Sequence, residues 1–137
     1  MLSITATTVR LFFHVIAATV WVGGQLTLAG LVPALRTLDP GAPKAAARAF
    51  NRIAWPAFGV LVATGVWNLV EVSVGDASTE YQVTIFVKLC IVAVSGIAAF
   101  LHTQAKTKQG LAVWGAVGGL ATILSLFLGV LLRTSAA

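Results

Sequence analysis

Arg10-Leu11-Phe12-Phe13-His14-Val15-Ile16-Ala17-Ala18-Thr19-Val20-Trp21-Val22-Gly23-Gly24-Gln25 opens a stretch with no Asp, Glu, Lys or Arg until Arg36, and His14 is its one ionisable group. An α-helix needs roughly 20 apolar residues to cross about 30 Å of hydrocarbon, and this stretch supplies them. The same gap in charge recurs from Arg52 to Glu71, from Lys88 to Lys106 and from Lys108 to Arg133. A soluble domain of this size does not tolerate four such stretches. The sequence predicts an all-α integral membrane protein, a four-transmembrane-helix bundle. Polar groups inside its spans are then the place to look for function.

The composition agrees: 58% of the residues are hydrophobic and 9% charged. Nearly everything goes into spans and short connections, which predicts one domain over residues 1–137. The first apolar stretch is longer than a signal peptide's core, and no small-residue cleavage pattern follows Trp21-Val22-Gly23-Gly24, so it reads as a permanent helix. A net charge of +5 would point a soluble protein toward nucleic acid. Here it is the loop charge that sets topology, with the lipid bilayer and its anionic headgroups as partners and no nucleic acid expected. The single cysteine, Cys90, excludes an intrachain disulfide and a Cys-x-x-Cys metal motif, and reads as a small buried apolar side chain.

Helix 1 is expected at about residues 9–35, ended by the turn Asp39-Pro40-Gly41-Ala42-Pro43. Lys44, Arg48 and Arg52 share one helical face at i, i+4, i+8, which predicts a basic segment lying at the headgroups before helix 2. Helix 2 is expected at about 53–72, with Pro56 in its first turns, helix 3 at about 81–102 and helix 4 at about 110–132. The first loop carries Arg36, Lys44, Arg48 and Arg52, and the third carries Lys106 and Lys108. The middle one has Glu71, Asp76 and Glu80 and no basic residue. The positive-inside rule puts the basic loops in the cytoplasm and both termini outside, with Arg10 and Arg133 as exceptions.

Orientation converts position into depth at about 1.5 Å per residue. His14 lies one turn, roughly 6 Å, below Arg10, and Lys88 about 10 Å below the same outer surface. Asn68 and Glu71 end helix 2 at that level, with Thr64 a turn deeper. His14, Thr64, Asn68, Glu71 and Lys88 therefore share a depth, whereas His102 lies at the cytoplasmic end of helix 3. Thr64 and Asn68 read equally as interhelical hydrogen-bond partners, and Lys88 either snorkels outward or pairs with Glu71. His14 gains nothing from facing lipid, so it should face the interior with a partner. His14, Ala17, Trp21 and Gly24 or Gln25 form one stripe on helix 1. Gly23-Gly24 would admit another helix or a flat cofactor. Gly115, Gly118, Gly119 and Gly129 give helix 4 a smooth face for packing or for a homodimer.

The run Phe13-His14 through Trp21-Val22-Gly23-Gly24, a histidine seven residues before a tryptophan and then x-Gly-Gly, resembles the opening helix of the copper resistance protein D (CopD) domain. Phe50-Asn51-Arg52-Ile53-Ala54 and Ala63-Thr64-Gly65-Val66-Trp67 resemble its second helix, and Phe86-Val87-Lys88-Leu89 its third. The wider superfamily includes HemJ-type protoporphyrinogen oxidases, which also have a histidine seven before a tryptophan and a lysine in helix 3. That branch links the histidine to haem b. It implies His14 as an axial ligand and Lys88 as a partner for a propionate. Val22-Gly23-Gly24, and the absence of a basic-aromatic run ending helix 1, place this chain nearer the CopD pattern.

Three functions follow. The resemblance implies copper handling or transport in the cell membrane, with His14 as the metal ligand and a periplasmic metal or redox partner. Imidazole suits copper, but the chain has no methionine ladder and no histidine-rich loop. Haem b, in electron transfer or tetrapyrrole chemistry, needs fewer ligands: His14, with Trp21 and Gly24 lining an apolar slot and Lys88 offsetting charge. The third is a non-catalytic scaffold whose polar cluster fixes helix register. No hydrolytic triad, phosphate loop or paired carboxylate names a catalytic residue.

Overall fold

The computed structural model describes residues 1–135 and is helical, with no strand among them. Four helices are long and apolar enough to cross a membrane: helix 1, Ala6–Leu38; helix 2, Ala42–Val72; helix 3, Thr79–Gln104; helix 4, Lys108–Ser135. The protein is a multi-pass membrane protein.

Each helix runs past the apolar span expected of it, because charge ends a span and capping ends a helix. Thr5 starts helix 1 with a reciprocal pair: Thr8 N–H donates to Thr5 Oγ1 (3.2 Å) and Thr5 N–H to Thr8 Oγ1 (3.3 Å). The Asp39 carboxylate accepts from Gly41 N–H and closes the turn into helix 2. Ser78 Oγ accepts from Tyr81 N–H at the start of helix 3, and Thr107 Oγ1 from Gly110 N–H at the start of helix 4. Such caps satisfy the backbone donors a helix start leaves open.

The basic segment differs from expectation. Lys44, Arg48 and Arg52 lie exposed on one uninterrupted helix rather than on a separate piece before it. The alanines between them are strong helix formers, so the chain has no reason to break at Ile53. Pro56 is consequently interior to helix 2 instead of in its first turns. Cys90 also departs from expectation, since it is exposed on helix 3.

The chain divides into two compact units, Met1–Val72 and the remainder from Ser73 onward. The first is an antiparallel hairpin of helices 1 and 2. Helix 1 contains a π turn at Thr19–Gly23, in which one extra residue is accommodated. Trp21, 3% exposed, sits in that turn against Trp55 (ring centroids 5.4 Å apart) and Phe58 (4.4 Å). Farther along, a Cβ on Gly24 would fall 2.6 Å from Phe50 Cζ, so the bare glycine is what lets the ring lie on the backbone.

The second unit is an antiparallel hairpin of helices 3 and 4. Ser95 Oγ and Thr122 Oγ1 meet at 2.7 Å with both residues 1% exposed. Gly118 lies on Ala98, and Gly115 lies on the His102 ring. His102 Nδ1 donates to the Leu111 carbonyl at 2.9 Å, joining the two helices near their connection. The helix-4 glycines Gly115, Gly118 and Gly129 thus serve packing within the hairpin, while Gly119 faces open space.

Candidate functional site

Helices 1 and 2 meet in two successive polar rungs near the N-terminal end of helix 1. In the deeper rung His14 Nδ1 is 2.8 Å from Thr64 Oγ1. Thr64 is 7% exposed, and its hydroxyl donates to the Val60 carbonyl at 2.7 Å, with Leu61 O at 3.2 Å. A hydroxyl has a single proton. With that proton on the helix backbone, Thr64 accepts from His14, which places a proton on Nδ1. Gly65 leaves room for the ring, since a Cβ there would sit 3.7 Å from His14 Cε1.

The upper rung is built on Arg10, one turn before His14. Its Nε–H donates to Asn68 Oδ1 at 2.6 Å, and Nη1 lies 3.8 Å from Glu71 Oε2. The Trp67 ring is 5.8 Å from the guanidinium carbon, and Trp67 Nε1–H reaches Glu71 Oε1 at 3.4 Å. Arg10 is 6% exposed, whereas the Glu71 side chain is 53% exposed. The first hairpin therefore gathers His14, Thr64, Asn68 and Glu71, with Arg10 at their centre. In the sequence Arg10 marks the edge of a span and an exception to the loop-charge pattern, with no site role. Its place four residues before His14, on the buried stripe, was the signal that could have found it.

Trp21 and Gly24 lie on the same interface beyond His14, and both are covered by the chain's own rings: Trp21 by Trp55 and Phe58, Gly24 by Phe50. Gln25 follows, with Nε2 enclosed and no hydrogen-bond partner among the described residues. Lys88 belongs to the second hairpin. There its Nζ is 3.1 Å from the position of a Cβ on Gly129, so the ammonium fills the notch the glycine leaves. Among the described residues no three His, Cys, Asp or Glu side chains converge on a point that could hold a metal ion.

The family model of copper resistance protein D matches residues 44–136, well over half of the chain. The chain belongs to the CopD family. The match covers helices 2 to 4, including the Thr64, Asn68 and Glu71 side of the polar rungs, and begins after helix 1 with Arg10 and His14. No curated protein and no solved structure is significantly similar to the chain. CopD membership makes this a membrane protein related to copper resistance.

Proposed function

We propose that this CopD protein handles copper within the membrane and that His14 is the residue that contacts the ion. The observation that carries the reading is the Thr64 hydroxyl, which accepts from His14 Nδ1 while donating to Val60 O. Metal-binding histidines are held in this way, with the second ring nitrogen donating to a fixed acceptor that sets tautomer and ring orientation. The charge pattern of the loops supports an orientation with both termini outside, which puts His14 in the outer leaflet.

A lone imidazole suits transient contact with copper as cargo better than a closed resident site. Further ligands then come from a second copy of the chain or from a periplasmic partner that delivers or receives the ion. Haem fits less well. A macrocycle on the Trp21–Gly24 stripe would need the space that Trp55, Phe58 and Phe50 fill.

The test is copper titration of the protein in lipid nanodiscs against a chromogenic chelator. His14→Ala should lose the bound ion and His102→Ala should keep it. Undiminished binding by His14→Ala would refute the reading. A Soret band in the isolated protein, lost in His14→Ala, would replace copper with haem.

A further inference from the structure

Arg10 has far more hydrogen-bonding capacity than the hairpin uses. A guanidinium carries five N–H donors. One of them, on Nε, is bonded to Asn68. The contact from Nη1 to Glu71 is 3.8 Å, an ion-pair distance beyond hydrogen-bond length. Trp67 offers the guanidinium a ring and no acceptor. The four Nη hydrogens thus have no acceptor among the described residues. A charged side chain this deeply enclosed costs several kcal/mol unless its donors are satisfied, and a membrane span supplies little water to do so.

A small part of the Arg10 side chain, 8% of it, stays exposed. Asn68 holds the Nε edge, and Glu71 places one oxygen on the Trp67 indole and the other 3.8 Å from Nη1. What remains is a fixed planar fork, which matches two oxygens of one anion.

We infer that Arg10, held by Asn68 and Glu71 in the upper rung of the first hairpin, binds a single oxyanion through its Nη groups. The ligand is a phosphate, either a phospholipid headgroup entering from the bilayer or free phosphate from solution. The inference is independent of copper at His14. The exposed basic residues Arg36, Lys44, Arg48 and Arg52 lie at the opposite end of the hairpin and attract anions without Arg10.

Native mass spectrometry of delipidated protein in dodecyl maltoside, titrated with phosphatidylglycerol and then with inorganic phosphate, tests this. Wild type should hold one phosphatidylglycerol whose affinity falls about tenfold or more in Arg10→Gln. Arg10→Lys, which keeps the charge without the fork, should lie between them. Glu71→Gln removes the competing carboxylate and should bind more tightly than wild type. Displacement of that lipid by inorganic phosphate would assign the free anion as a ligand of the same site, and retention would assign the headgroup. Equal phosphate and lipid affinities in wild type, Arg10→Lys and Glu71→Gln would overturn the inference and leave the fork to water. Arg10→Lys and Glu71→Gln decide the matter even if Arg10→Gln does not fold.

Discussion

Thr64→Val separates what the polar rung does for the fold from its part in the copper contact proposed at His14. Valine has nearly the shape of threonine, so the packing around residue 64, 7% exposed, is retained. The hydroxyl at 2.8 Å from His14 Nδ1 is removed, and with it the hydrogen bond to Val60 O. Interhelical hydrogen bonds inside membranes contribute about 0.5–1.5 kcal/mol, so the hairpin should survive with a loss of that size. The imidazole loses the acceptor that fixes its tautomer and ring plane. Outer partners of metal-binding histidines typically change metal affinity by about 10- to 100-fold. Copper affinity should therefore fall by at least about tenfold while unfolding in mixed micelles shifts little. Thr64→Ser, which keeps the hydroxyl, should recover most of the affinity. If Thr64→Val binds copper as wild type does while His14→Ala does not, Thr64 is interhelical glue and the tautomer argument fails.

Two further pairs of substitutions test the hairpins themselves. Ser95→Ala and Thr122→Val break the buried contact between helices 3 and 4, and a double-mutant cycle measured by reversible unfolding should give a coupling of about 0.5–1.5 kcal/mol. Additive losses would mean the two hydroxyls are served by other partners. In the first hairpin, Gly24→Ala forces the Phe50 ring aside and should cost about 1–3 kcal/mol, despite alanine's better helix propensity. Phe50→Ala should then remove most of that cost. A Gly24→Ala protein as stable as wild type would show that the ring swings away freely.

The four spans were legible because hydrocarbon excludes charge, and the gaps between charged residues count directly in bilayer thicknesses. Helix ends were less legible for the same reason. Arg52 marks where the apolar span starts, but Lys44 to Arg52 are joined by alanines that continue the helix in headgroup or water alike. The antiparallel neighbourhood of His14, Thr64, Asn68 and Glu71 could be anticipated from depth alone. The pairing within it could not. Asn68 faces Arg10 across 58 residues of sequence, and no periodicity in helix 1 announces that partner.

The π turn explains where the stripe reading stops. A 3.6-residue period carried from His14 through Ala17 to Trp21 describes the α-helical part, and Ala17 and Trp21 are both buried. Beyond Trp21 the period admits both Gly24 and Gln25, at i+10 and i+11, and the extra residue at Thr19–Gly23 shifts the register there. In the structure Gly24 takes the close approach of Phe50, and Gln25 brings an enclosed amide with no partner into the same stretch. The two polar rungs lie on the N-terminal side of that reset and the aromatic contacts at or beyond it. A change in the π turn would therefore move Trp21 and Gly24 against helix 2 while Arg10–Asn68 and His14–Thr64 could stay paired. Chemistry at the rungs and packing at the rings are separable by construction, which is why substitutions at Thr64 and at Gly24 should report on different properties of the same hairpin.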